Sequence, residues 1–428
     1  MFQKAKHQQN KNKNFNTKMN SKIQLYKMSL DERRKTIKEL ANLTDEEISY
    51  YNGNLTNIAD KMVENVIGTY ELPIGIATNF LINGNNYLIP MVIEEASVIA
   101  AASNAAKIAR LKGGFITYVD EPLMLGQIQV INLDDVEVAQ IKILKAKKEL
   151  IEMANTCDPT LVKYGGGCKD IEVRKISDDM LAVHLLVDCR DAMGANAVNT
   201  MTEKIKEKIK ELTGGSVLLR IITNLAIYRK AYSYATYDKE ALGGEEVVDK
   251  ILIAYKFATS DIFRCATHNK GIMNGIDALI IATGNDFRAI EAGAHSYAAM
   301  QGYAPLTHYS KDKDGNLVGS IAMPMAVGII GGATKIHPQA RTNLKILNVK
   351  SAGELAGIAV SLGLAQNLAA LRALATEGIQ RGHMELHARN IAISAGVPVE
   401  IADKITKIMI KDKKISMDYA KEIFEKTK

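Results

Sequence analysis

The sequence predicts an α+β protein: a large, mainly helical body, interrupted by a ferredoxin-like βαββαβ insertion and ending in a C-terminal helical flap. Three observations carry this. Between residues 121 and 227 the apolar pattern switches from alternation to helical spacing and back in the order strand, helix, strand, strand, helix, strand. On either side the pattern is helical and punctuated by glycine. The last fifty residues read as charged amphipathic helices behind Gly382.

Taken in order, residues 1–20 are rich in Lys, Asn and Gln and read as a disordered basic leader, with Met19 and Met28 as alternative starts. Residues 21–120 form the first part of the large domain. Its first helix opens at Ser29-Leu30-Asp31-Glu32, where a serine precedes an acidic first turn. The alanine-rich stretch Glu95 to Arg110 has no Gly or Pro and stops at Gly113-Gly114, as a buried helix does. The insertion occupies 121–227. Strands are expected at 126–132, 171–176, 180–188 and 216–222, with helices over 136–155 and 194–212. Residues 228–377 return to the large domain, and 352–375 is a small-residue helix or helix pair suited to close packing. Residues 378–428 form the flap.

Composition excludes several classes. The apolar fraction of 47% and charged fraction of 24% are those of a soluble globular protein. The net charge of +6 is local, because residues 1–22 hold six lysines and no acid. A nucleic-acid protein would gather that charge on a folded face. The four cysteines form no CxxC pair and there is no HExxH, so neither a metal site nor a disulfide framework is expected, in keeping with a reducing cytoplasm. No apolar run was judged to approach the length of a membrane helix, and no signal core opens the chain.

Four polar runs carry the chemistry: Pro90–Glu95, Thr267-His268-Asn269-Lys270-Gly271, Gly284-Asn285-Asp286-Phe287-Arg288-Ala289, and Gly382-His383-Met384-Glu385-Leu386-His387-Ala388-Arg389-Asn390. They supply a carboxylate, an ammonium, a second carboxylate and an imidazole, a set suited to stepwise carbonyl reduction with a leaving group. There is no GxxxxGK[ST] and no GxGxxG after a strand, which excludes a standard Rossmann site. Asp191-Ala192-Met193-Gly194-Ala195-Asn196 instead opens a helix directly after a strand. Asp191 is positioned to cap that helix, whose exposed N–H groups attract diphosphate; an ordinary capped helix is the alternative. Gly165–Gly167 reads as a turn, and Gly328–Gly332 as either a ligand-facing loop or close packing.

Together with Glu64-Asn65-Val66-Ile67-Gly68 and Leu72-Pro73-Ile74-Gly75, these runs resemble the 3-hydroxy-3-methylglutaryl-CoA (HMG-CoA) reductases in their class II soluble form. They follow the family's order over roughly residues 30 to 395. The resemblance implies a large domain for the acyl-CoA, a nicotinamide site on the ferredoxin-like insertion, and a homodimer with active sites at the subunit interface. The implied substrates are HMG-CoA and mevalonate, with coenzyme A as part of the substrate. No nucleic acid, membrane or metal takes part. The alternative is a non-catalytic CoA-binding relative on the same scaffold, which would be expected to lose a reacting group.

By resemblance, Lys270 stabilises the oxyanion and Glu95 protonates the aldehyde-derived oxygen, with Glu94 as its rival. Asp286 links lysine and glutamate, although a turn pairing with Arg288 is the plainer reading. His383 protonates the departing thiolate, and His387, one turn on, is structural. Arg264, Ser97 and Asn274 hold the acyl carboxylate and hydroxyl. Asp191, Met193, Gly194, Asn196, Asn224 and Gln366 match cofactor contacts. Asp158 matches an acidic position at the adenine ribose, which favours NAD(H) with NADP(H) as the alternative, because a carboxylate accepts ribose hydroxyls and repels a 2′-phosphate. Ala96 and Phe287 depart from the family's proline and tryptophan without removing a reacting group.

Overall fold

The computed structural model describes residues 25–41, 43–376 and 388–427. The leader 1–20, His383 and His387 lie outside the described residues. The chain divides into two compact units at Pro73. In the first, Arg33 is the hub. It is 8% exposed, pairs with Asp60, and donates from Nε to Leu25 O and from Nη1 to Val66 O. The family-like run Glu64–Gly68 closes this unit. A Cβ on Gly68 would lie 2.3 Å from Tyr51 O, so only glycine fits.

The second unit holds two sheets. The larger has the order β2-β1-β3-β8-β10-β9. Its strands are β1 (Ile74–Ile82), β2 (Asn85–Val92), β3 (Phe115–Val119), β8 (Lys230–Tyr237), β9 (Thr307–Lys311) and β10 (Leu317–Pro324). The smaller has the order β5-β6-β4-β7, from β4 (Leu123–Ile131), β5 (Gly167–Ser177), β6 (Met180–Asp188) and β7 (Ser216–Ile222), all pairs antiparallel. That is the strand order of a split βαβ unit. The expected strand at 171–176 begins earlier, at Gly167, and 180–188 and 216–222 fall where the pattern places them.

Seven helices matter for the site: α1 (Val98–Arg110), α2 (Val136–Lys145), α3 (Lys147–Asn155), α4 (Ala195–Thr213), α5 (Ile262–Ala282), α6 (Phe287–Ala299) and α7 (Ala352–Ala375). Three expectations need correction. The helix over 136–155 is two helices, because Ala146 N–H reaches both Lys142 O and Ile143 O and tightens the turn. The helix expected from Glu95 begins at Val98, because Ser97 sits in the left-handed region at φ 73°. The body is less purely helical than its pattern: β8, β9 and β10 lie in 228–377. In β8 the alternation of Tyr with Ala and Ser hid a strand, since three of its four buried residues, Ala231, Ser233 and Ala235, are small.

Those small residues receive α7. Ser233 Oγ meets Ser361 Oγ at 2.9 Å in the core. A Cβ on Gly357 would lie 2.9 Å from Thr117 Oγ1 of β3. On its other side α7 packs on α5, where a Cβ on Gly363 would lie 2.8 Å from Ile276 Cδ1 and one on Gly275 would lie 3.1 Å from Gln366 Cβ. By length and composition α7 is apolar enough to cross a membrane, which corrects the sequence reading; 67% of that window is buried within the fold. After residue 388, the helices Val399–Lys411 and Met417–Thr427 share a small core of Val397, Ala402, Ile405, Met409 and Ile423.

Gly363→Leu should therefore wedge α5 from α7 and cost about 1–3 kcal/mol. Urea unfolding checks this. An unchanged midpoint would mean that the two helices separate freely.

Candidate active site

α5 carries polar residues on one face at helical spacing: Arg264, Thr267, Lys270, Gly271 and Asn274. Its opposite face, with Cys265, Ile272 and Ile276, is core. The polar face opens on a cavity of about 460 Å³ between α5, α1 and α7. Glu95, Ser97, Arg264, Lys270, Asn274 and Gln366 all line it. Glu95 is delivered by the strained residue at the start of α1: because Ser97 is left-handed, the chain turns before the helix begins and Glu95 stays in the cavity. Lys270 Nζ then lies 3.6 Å from Glu95 Oε2. The lysine side chain is 62% exposed.

The floor beneath Lys270 is a buried polar network. Thr307 donates its single hydroxyl proton to Asn367 Oδ1 at 3.1 Å, so His268 Nε2–H donates to Thr307 Oγ1 at 2.6 Å. Asn367 Nδ2 returns a bond to His268 O. Burial, with Arg264 nearby, lowers the His268 pKa to about 4. His268 is thus a neutral anchor rather than a proton donor. Gln366 is 6% exposed and its Oε1 has no protein partner. It lines the same cavity as Lys270 and Glu95.

A second cluster surrounds the start of α4. Gly194 takes φ 108° at the N-cap, and a Cβ there would lie 2.2 Å from Cys189 Sγ. With glycine at the cap no side chain occupies the helix end, and the first-turn N–H groups suit a diphosphate. Met193 precedes this turn and Asn196 is exposed in it. Asp191 does not cap α4. Its Oδ1 accepts from Ala352 N at 2.8 Å and its carbonyl accepts from Ile329 N, so it ties the loop to the start of α7. Gly328 is close packing, because a Cβ there would meet Met193 N at 2.6 Å. Asp158 caps the short helix Pro159–Lys163 through Leu161 N at 2.8 Å. Its neighbour Cys157 reaches Thr200 O of α4 at 3.8 Å, which sets Asp158 beside α4 about a turn and a half from its start. Asn224 O packs against Gly293 of α6.

Asp286 begins α6. It accepts from Arg288 N and Ala289 N and pairs with Arg288 at 3.1 Å, so the plainer turn reading holds in the single chain. It does not join Lys270 and Glu95 there. From Lys270 to the end of α5 is roughly 18 Å of helix at 1.5 Å per residue. Gly328 N donates to Asn285 Oδ1, so Asp286 belongs spatially with Met193 and Gly194. Among the described residues no group of three or more His, Cys, Asp or Glu gathers as for a metal.

Two candidate half-sites therefore stand at opposite ends of one helix, the Lys270–Glu95 cavity at one end and the uncovered start of α4 at the other. The chain matches the family described as hydroxymethylglutaryl-coenzyme A reductase over residues 29–388. It belongs to that family. It is 62% identical to the 3-hydroxy-3-methylglutaryl-coenzyme A reductase of Archaeoglobus fulgidus, over 95% of each chain. It is 34% identical to the probable enzyme of that name from Borreliella burgdorferi, over 93% of this chain and 94% of the relative. Among solved structures, the class II HMG-CoA reductase of Streptococcus pneumoniae bound to NADPH in open conformations is 40% identical. It superposes with a TM-score of 0.75 over 94% of this chain and 100% of that one. Family membership makes the chain an oxidoreductase that uses a nicotinamide cofactor.

Sequence reading missed two members of the reductase cavity. Arg372 lines it from α7, and its signal was a lone cation in a run of Ala and Leu. His268 was visible only as part of the lysine motif.

Proposed function

We propose that the chain catalyses reductive deacylation of HMG-CoA to mevalonate and coenzyme A with two reduced nicotinamide cofactors, or the reverse oxidative acylation. The observation that carries this reading is the Lys270–Glu95 pair at 3.6 Å in a cavity that also holds Arg264, Ser97 and Asn274. Met193, Gly194 and Asn196 at the start of α4 would hold the nicotinamide cofactor, each reduced molecule of which would supply one hydride, so that two bound in succession serve the thioester and then the aldehyde. Lys270 stabilises each developing oxyanion, a role worth a few kcal/mol in a dry site. Glu95 passes a proton to the aldehyde-derived oxygen. His383 protonates the departing thiolate. Arg264 meets the acyl carboxylate as a fork, with Ser97 and Asn274 at the hydroxyl.

Lys270 is too exposed in the single chain for that work, and Asp286 is a helix length away. Both facts support a homodimer in which one subunit's acyl pocket meets its partner's cradle and Asp286. The flap 378–428 closes over this site in the proposal. The outer face of the large sheet, with Ile116 at 44%, Tyr118 at 68% and Tyr234 at 49% exposure, offers apolar surface for a second copy. Residues 121–227 serve as the cofactor domain and the remainder of 21–377 as the acyl-CoA domain. The protein works in the cytoplasm.

Purified protein should oxidise two cofactors per mevalonate formed, and only when HMG-CoA is present. A 1:1 ratio with aldehyde accumulation would overturn the assignment. The composite site is tested by mixing inactive Lys270→Ala and Asp286→Asn chains. Hybrids should recover about a quarter of wild-type activity, since half of randomly paired dimers hold one complete site. No recovery would place the whole site within one chain.

Cofactor preference rests on Asp158. Losing its charge-assisted ribose bond should cost NADH roughly 1.5–3 kcal/mol, about tenfold to a hundredfold in kcat/KM, and relieve repulsion of NADPH. Steady-state comparison of both cofactors in wild type and Asp158→Ala decides this. An unchanged ratio sinks the NAD(H) preference.

A further inference from the structure

The hairpin of α5 and α6 connects the residues of the two half-sites, and a polar seam runs between its arms. Asp277 on α5 and Glu291 on α6 stand seven residues before and seven after Gly284, the turn. Asp277 lies within hydrogen-bonding reach of Glu291. Its Oδ1 is buried with no protein partner. Two carboxyl groups in contact, one without a donor to accept from, are stable only when a proton lies between them. Glu291 is held in turn: Oε2 meets His295 Nε2 at 2.9 Å, one turn along α6. His295 Nδ1 meets the Tyr303 hydroxyl at 2.7 Å, and the two rings stack at 6.0 Å and 10°. No residue in this seam lines the acyl cavity.

We propose that Asp277 is a positioning residue for the reduction: it shares one proton with Glu291, and the chain Asp277–Glu291–His295–Tyr303 clamps α6 onto α5, fixing the angle at which Asp286, at the start of α6, is presented across the dimer. The inference rests on the reading that Lys270 and Asp286 act in catalysis. Burial and the facing Glu291 push the Asp277 pKa up to about 8. Among the described residues Glu291 is the only charged group acting on Asp277. Strand β2, packed on α5, carries no charged side chain; of the helices packed on α5, neither Lys107 and Arg110 of α1, Glu354 and Arg372 of α7, Arg341 and Lys345 of helix Pro338–Leu347, nor the charged residues of helix Glu245–Ser260 act on Asp277, and His295 faces Glu291 instead. As pH rises through about 8 the shared proton leaves, two carboxylates face each other, and the hairpin opens at its base.

The sign for stability follows. A carboxyl whose pKa is raised on folding stabilises fully below its unfolded value near 4, and loses that contribution as pH rises toward 8. Asp277→Asn keeps an N–H donor to Glu291 and cannot lose it; Asp277→Leu removes it. The experiment measures kcat, KM and Tm from pH 5 to 9.5 for wild type, both variants, and Asp286→Asn.

Asp277→Asn should retain most of wild-type kcat at pH 7. The ratio of wild-type to Asp277→Asn kcat should drop about tenfold between pH 7 and 9, as a single group near 8 titrates. The Tm difference between the two should widen from pH 5 to 8 and then level. Asp277→Leu should lose kcat more than it raises KM. Parallel pH profiles for wild type and Asp277→Asn, or equal loss of kcat in the Asn and Leu variants at pH 7, overturn the proposal. If the Leu variant does not fold, the Asn pH profile alone decides. Full activity of Asp286→Asn would strike the catalytic reading instead, and would leave the Asp277 stability profile to be judged by itself.

Discussion

The packing of α7 against both the large sheet and α5 is the constraint on which the site depends. α7 fits because Gly357, Ser361 and Gly363 stand at its closest approaches, and because β8 answers with Ala and Ser. That approach brings Gln366 over Gly275 and leaves a cavity where the polar face of α5 diverges from α1. A helix with larger side chains would stand farther off, as interior packing tolerates little surplus volume. The Lys270–Glu95 cavity is thus the space left over by a close helix crossing, walled by the core behind it.

The electrostatic arrangement follows from this rigidity. Lys270 and Glu95 come from different elements, yet each is held by groups that do not react. His268, Thr307 and Asn367 hold the lysine's helix from below with neutral hydrogen bonds. The left-handed Ser97 holds the glutamate. Strain and buried polarity are costly, and here both lie beside the Lys270–Glu95 pair, as expected where geometry is paid for elsewhere in the fold. At the other end, Asp191 gives up capping its own helix in order to join the insertion to α7, which leaves the α4 terminus uncovered.

Much of this was legible in the sequence. The βαββαβ order and the lysine motif announce themselves through local pattern, because each depends on residues close in the chain; the α4 cap does not, since Asp191, the expected cap, is drawn off to the distant Ala352. The strands of the large sheet were less visible. β8, β9 and β10 pair across long separations, and the small buried residues of β8 mimic helix composition. The break at Ala146 has no local breaker and reflects tertiary fit. Asp286 was matched to its motif, but its distance from Lys270 could not be read from spacing, because a motif does not show that an unbroken helix separates it from its partner. That Gln366 lines the Lys270 cavity follows from its packing over Gly275, which no local pattern shows.

The helix Ile262–Ala282 is also a ruler. It is unbroken, capped at its start by Asp261 and closed by the turn at Gly284, and its residues set how far and in what direction one half-site faces from the other. One inserted or deleted residue within it would shift the two by only about 1.5 Å but rotate them by roughly 100° about the helix axis. Point substitutions on its surface leave that phase untouched. This segment should therefore tolerate changes of letter far better than changes of length, and register, more than identity, is what its sequence has to preserve.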